Sequence, residues 1–213
     1  MSPERFEAPR GPAEPLSETV FRALAQAIVS GEIPPQKRLN DDRIARQYGV
    51  SRTPVREAFR RLESIGFLEI YANRRTAVTS VTARTVRESL TYAGYQAGFA
   101  VHAGLPLLNA DERAEAAQLA REAGRCVRSR AEASAARRRL FSYLSEHSGN
   151  PMHHAHMRDL EYAFERNLGG YFVPSELAAA AESDFEALAG AILRGDRALA
   201  EEIVRRLHGI DPD

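Results

Sequence analysis

Two short helices joined at Gly49-Val50-Ser51 constrain this chain more than any other feature of its sequence. Asn40 stands before the first as an N-cap, with Asp41 and Asp42 in the opening turn, where the helix dipole favours acids. That helix closes near Tyr48-Gly49. Ser51 caps the second, and Pro54 sits in its first turn, where a missing N–H does no harm. Val55, Ala58, Phe59 and Leu62 then repeat at i, i+3, i+4 and i+7, an inward stripe that ends around Ile65-Gly66. Beside it runs an outward stripe of Arg52, Arg56 and Arg60 at i, i+4 and i+8. A helix that reads the major groove needs both faces, one apolar to dock on its scaffold and one basic to meet DNA. Arginine can bond guanine O6 and N7 in bidentate fashion, and it also neutralises phosphate. A basic solvated face with no partner is the alternative, and an arginine stripe alone would favour it. The tight turn, the capping serine and a basic hairpin tip downstream favour DNA.

The flanks fit the same arrangement. Upstream, a helix predicted from an N-cap at Ser17 to Gly31 buries Val20, Leu24, Ala27 and Ile28, and Glu32-Ile33-Pro34-Pro35 breaks it. Downstream, the β-prone runs Phe67–Tyr71 and Thr76–Val81 flank the polar turn Ala72-Asn73-Arg74-Arg75. Three helices followed by a hairpin is the order of a winged helix-turn-helix. Formal net charge is zero over the whole chain and announces no partner. Distribution says more: between Lys37 and Arg75 there are ten basic residues against five acids, so the remainder is net acidic.

From Thr82 the texture changes to alanine, arginine, leucine and glutamate with helical periodicity. Helices are expected over Ala83–Ala103, Ala110–Arg128, Ala131–Glu146, Pro151–Leu168, Ser175–Arg194 and Asp196–His208. The fold class is therefore mostly α. A flexible arm over residues 1–14 precedes a winged domain over residues 15–81 and an all-helical bundle over residues 82–213. One cysteine, Cys126, excludes an intramolecular disulfide framework and a multi-cysteine zinc site. The polar, proline-rich start lacks a signal-peptide core, and no apolar run approaches the roughly 18 residues of a membrane span. Together these predict a cytoplasmic protein with no membrane partner.

Ser51-Arg52-Thr53-Pro54-Val55-Arg56-Glu57-Ala58, with Ile28…Gly31 and Pro34-Pro35 upstream and Leu62-Glu63…Gly66 downstream, resembles the GntR family of bacterial transcription regulators over about residues 15–81. The resemblance implies a homodimeric regulator, of repressor type, on pseudo-palindromic operator DNA. The expected contact set is Arg43, Ser51, Arg52, Thr53, Arg56, Arg60 and the wing-tip pair Arg74 and Arg75. Two departures stand out. The family usually has a wing glycine near Arg75, and a glycine common after Pro35 is replaced by Gln36.

The helical part resembles the FCD effector domain of the FadR-like branch through Ser148-Gly149-Asn150-Pro151, Ala191-Ile192-Leu193-Arg194-Gly195-Asp196 and the helical order. Many such domains hold a divalent metal through an aspartate, a histidine four residues on, and two later histidines. The matching positions here are Arg138, Ser142, Phe185 and Leu207, none with ligand chemistry, and His208 is one residue from the last. The resemblance thus implies an effector pocket without a metal cofactor, smaller and more apolar than the family's. Arg138 is expected to face solvent or to hold an anion such as a ligand carboxylate.

His153, His154, His156 and Asp159 form a local cluster with metal-like spacing, but a solvated helix start is the preferred reading. Tyr71, Tyr92 and Tyr95 are read as packing residues. No nucleophile–histidine pair, phosphate-binding glycine loop or distinctive carboxylate pair emerges, so no enzyme is expected. The competing readings are a metal-binding protein or metalloenzyme built on residues 83–213, and an architectural or partner-binding regulator that answers to no small molecule.

Overall fold

The computed structural model describes residues 15–71 and 75–210. The arm expected over residues 1–14 and the wing-tip residue Arg74 lie outside the described residues. The chain divides into two compact units, one ending at Ser80 and one beginning at Val81.

The first unit runs α1 (Leu16–Val29), β1 (Arg38–Leu39), α2 (Asp41–Tyr48), α3 (Arg52–Ser64), β2 (Leu68–Tyr71) and β3 (Arg75–Val78). Val20, Leu24 and Ile28 of α1 are buried with Val55, Ala58, Phe59 and Leu62 of α3 in one core; Ala27 is only half-buried, and Phe21 and Ala25, not expected there, complete the α1 face. Pro15, not Ser17, holds the N-cap of α1, and its carbonyl oxygen accepts the Glu18 N–H at 2.9 Å. A cap position needs no N–H of its own, which is why proline serves there. Asn40 caps α2 as expected, its Oδ1 accepting the Arg43 N–H at 2.9 Å. Ser51 occupies the N-cap position of α3 but makes no side-chain cap bond. Gly49 takes φ +65° between α2 and α3, the left-handed turn that brings the two helices together.

The sheet has order β1-β3-β2, all antiparallel, with Leu68 opposite Val78 and Tyr71 opposite Arg75. The two-residue β1 was not anticipated, because two residues carry no alternation to read. The last strand ends at Val78 rather than Val81. Beyond it Thr79 still donates its N–H to the Phe67 carbonyl oxygen at 2.9 Å, and its Oγ1–H goes to the Gly66 carbonyl oxygen at 2.6 Å. Gln36 adopts φ +66°, which explains why a glycine suits that position. Its N–H donates to the Val78 carbonyl oxygen at 2.8 Å, and its side-chain amide lies 2.9 Å from Ser80 Oγ.

The second unit contains α4 (Ala83–Gly104), a 3₁₀ turn (Leu105–Leu107), α5 (Ala110–Arg125), α6 (Ala133–Glu146), α7 (Pro151–Leu168), α8 (Ser175–Arg194) and α9 (Arg197–Leu207). Five helix ends differ from expectation: α4 runs on to Gly104, α5 stops at Arg125, α6 starts at Ala133, and Asp196 caps α9, which ends at Leu207 rather than His208. Small residues on α5 let α8 approach closely, and a Cβ on Gly124 would stand 3.0 Å from that of Phe185. Arg206–Asp184, at 2.7 Å, ties α9 to α8. No described helix is long and apolar enough to cross a membrane.

Candidate nucleic-acid interface and helical-unit cavity

Burial of one stripe of α3 decides what the other can do. With Val55, Ala58, Phe59 and Leu62 inward, Arg52, Thr53, Arg56 and Arg60 are left exposed on the opposite side, and Ser51 and Arg43 are exposed as well. Arg75 is exposed in β3 rather than in the turn, its guanidinium 5.8 Å from the centre of the Tyr71 ring. Tyr71 is itself half exposed and bonded to Glu69, so its packing reading is corrected.

Two of these arginines have partners that sequence reasoning missed. Asp42 takes the Nε and Nη2 edge of Arg52, and Asp41 accepts Arg56 Nε at 2.8 Å. That hydrogen bond, with the positive charges of Arg52 and Arg56, holds the Asp41 carboxyl below its usual range. Both acids were read only as helix-dipole residues. Their reach across to the next helix depends on how α2 and α3 cross, which sequence spacing does not reveal. α3 is also tied to α1, where Arg61 pairs with Glu18 and lies 3.9 Å above the Phe21 ring.

Residues 16–78 match the family described as "Bacterial regulatory proteins, gntR family". The HTH-type transcriptional regulator YdhC of Bacillus subtilis (strain 168) is 38% identical over 68 residues, which is 32% of this chain and 30% of that protein. The match therefore spans less than a third of that relative's length. An HTH-type transcriptional regulator from the TAR-I ttuE-ttuC' intergenic region of Agrobacterium vitis is 30% identical over 129 residues, covering 54% of this chain and 75% of the relative. The chain belongs to the GntR family. The solved structure of E. coli McbR/YncC superposes with a TM-score of 0.63 at 20% identity, over 92% of this chain and 95% of that one, and so shares its fold. The first unit of this GntR protein, the part that the family match covers, has the order of a winged helix-turn-helix.

The helical unit of this GntR protein encloses a cavity of about 60 Å3, room for several water molecules or a small organic group. Leu90 and Ala93 of α4, Phe141 of α6, and Met157 and Phe164 of α7 make its wall largely apolar. Polar groups come from Arg137, Arg138 and Ser142 of α6, Glu161 of α7, and His208. Arg138 and Ser142 thus line the cavity, whereas Phe185 and Leu207 do not. Phe185 turns to Gly124 of α5, and α9 ends at Leu207 so that His208 takes the inward place against Gly94. One residue along a helix is a rotation of about 100°, which separates the two faces.

Arg137, absent from the expected set, donates Nη2–H to the Leu207 carbonyl oxygen at 3.0 Å, and burial lowers its pKa. Arg138 donates to Ser134 Oγ at 2.9 Å, and Ser142 Oγ donates to Glu161. Burial, reinforced by the charge of Arg137, pushes His208 down to about 3, so it is a neutral ring. Two guanidiniums on the same wall oppose a divalent cation, and the ligand set of a metal-type FCD domain does not fit here. Among the described residues no group of three or more His, Cys, Asp or Glu could hold a metal ion. The histidine cluster is not a uniformly solvated helix start: His153 is buried, with Nδ1 3.0 Å from Ser145 Oγ and its ring 4.5 Å from that of Phe99. Tyr95 is 59% exposed, which counts against its reading as a packing residue, whereas Tyr92, 40% exposed, does pack, its ring 6.4 Å from that of Phe164 and its hydroxyl 3.2 Å from His156 Nε2.

Proposed function

We propose that this regulator acts in the cytoplasm as a homodimer on a pseudo-palindromic operator, each subunit placing α3 in the major groove of one half-site. The observation that carries this is the exposed arginine face of α3 backed by a fully buried apolar one. Arg52, Thr53 and Arg56 face the bases, Arg43, Ser51 and Arg60 the backbone, and Arg74 and Arg75 the minor groove beside the wing. Bound there, the protein excludes other proteins from the same DNA, so repression is the expected outcome. Genome-wide footprinting should return inverted repeats with half-site centres about 34–36 Å apart. Uniform coverage without a repeat would contradict the reading.

The helical unit, read as a metal-free FCD domain, supplies the dimer interface and an effector site. An amphipathic acid fits its cavity: apolar walls for the body, and Arg138 for a carboxylate. A melting-temperature screen of such acids should find stabilising ligands whose shift disappears in Arg138→Met. A ligand shift that survives the substitution would remove Arg138 from the site.

A further inference from the structure

The acid pair at the start of α2 faces the groove-reading arginines, and its two members engage them differently. Asp42 occupies the forked Nε–Nη2 edge of Arg52, the kind of edge arginine offers to phosphate or to a guanine. Asp41 hydrogen-bonds Nε of Arg56 alone, lies 4.0 Å from Arg52 Nε, and leaves both terminal nitrogens of the Arg56 guanidinium unengaged by it. The arginine side chains are 52% and 57% exposed, so these contacts sit on the surface and can exchange partners. A duplex phosphate approaching Arg52 must displace a carboxylate from the same edge, whereas a base edge approaching Arg56 meets a guanidinium already held in place.

We propose that Asp41 and Asp42 are specificity-determining positioning residues, Asp41 orienting Arg56 for a base edge and Asp42 competing with backbone phosphate for Arg52. The proposal rests on α3 being the operator-reading helix. Electrostatic attraction to phosphate is the same on every sequence. A carboxylate that must be displaced weakens it everywhere, and only a site offering further base contacts makes up the loss. Discrimination then comes from removing non-specific affinity as well as adding specific affinity.

The test uses the full chain and two duplexes: one selected by the wild type from a random pool, and a scrambled duplex of equal length and composition. Asp42→Asn should tighten the scrambled complex and steepen its log–log salt dependence by about 0.9 per subunit, as one guanidinium becomes free for phosphate. Asp41→Asn should lower the ratio of selected to scrambled affinity about tenfold, within the range of one bidentate base contact. Asp41→Glu keeps the charge but moves the carboxylate, and should lower that ratio too. In an Arg56→Ala background, Asp41→Asn should lower it much less than in the wild type, leaving only the weaker pairing with Arg52 to be lost. Glu57→Gln, which removes an exposed charge elsewhere on α3, should shift both duplexes by one common factor. If Asp41→Asn and Asp42→Asn also shift both duplexes by one factor, with Asp41→Glu equal to wild type, the acids act only as bulk charge and the proposal is overturned. If the wild type enriches no sequence from the pool, the reading of α3 fails and takes the proposal with it. Melting temperatures of all variants should stay close to wild type, since neither acid is in the core.

Discussion

The two units place their arginines in opposite settings. In the winged unit Arg52 and Arg56 stand on an open face, held by carboxylates that are themselves partly exposed. In the helical unit Arg137 is drawn into the wall of a cavity, bonded to a backbone oxygen, and burial makes its charge harder to keep. An exposed ion pair exchanges partners at a cost of about 0–1 kcal/mol, which suits a surface that must meet a polyanion. A part-buried guanidinium keeps less of its water and gains more from an anion that enters beside it. The first setting suits contact with a large charged partner, the second a small one.

Several measurements break or sharpen that contrast. The largest effect should follow truncation in the helical core. Leu140 is fully buried, so Leu140→Ala should destabilise that unit by about 2–5 kcal/mol. Calorimetry of the variant should show the helical transition falling while the winged unit's transition keeps its temperature. A joint fall of both would mean that the two units unfold as one.

The pH dependence of the helical unit comes next. The fold favours neutral His208, whereas an unfolded histidine protonates below about 6.5. Stability should therefore be complete above that value and decline as pH falls towards about 3, by up to roughly 1.4 kcal/mol per pH unit. His208→Gln should flatten this slope in urea titrations between pH 6.5 and 4. An unchanged slope would assign the acid sensitivity to other groups, His153 first among them, since burial also lowers its pKa.

A smaller effect belongs to the winged unit. Gln36→Gly relieves a left-handed non-glycine residue but gives up the contact with Ser80. The net change should be a stabilisation of less than about 1 kcal/mol. Destabilisation in thermal melts would show that the amide bond outweighs the backbone strain.

These results bear on what the sequence could convey. The inward stripes of α1 and α3 were readable because a repeat of about 3.6 residues is local to each segment. The Asn40 cap was readable for the same reason. The pairing of Asp41 with Arg56 and Asp42 with Arg52 was not, because it needs the crossing of two helices. β1 was too short to show a period. In the cavity, Arg138 and Ser142 were located from a register carried across α6, but the same transfer failed at the far end of the chain. There α9 ends at Leu207, and a one-residue offset exchanged Leu207 for His208. Arg137 carried no signal of its own in a run of three arginines, of which Arg139 instead pairs outward with Glu122.

The central claim is that α3 reads DNA sequence through its arginine face, and fluorescence anisotropy of the full chain tests it most directly. Wild type should prefer the selected duplex over a scrambled one by about 10³-fold or more at physiological salt. Arg56→Ala should lose about 1–3 kcal/mol per contacted base on the selected duplex and relax its preference. If Arg56→Ala and Arg52→Ala both bind the selected duplex as tightly and as selectively as wild type, the account of α3 as the recognition helix is wrong.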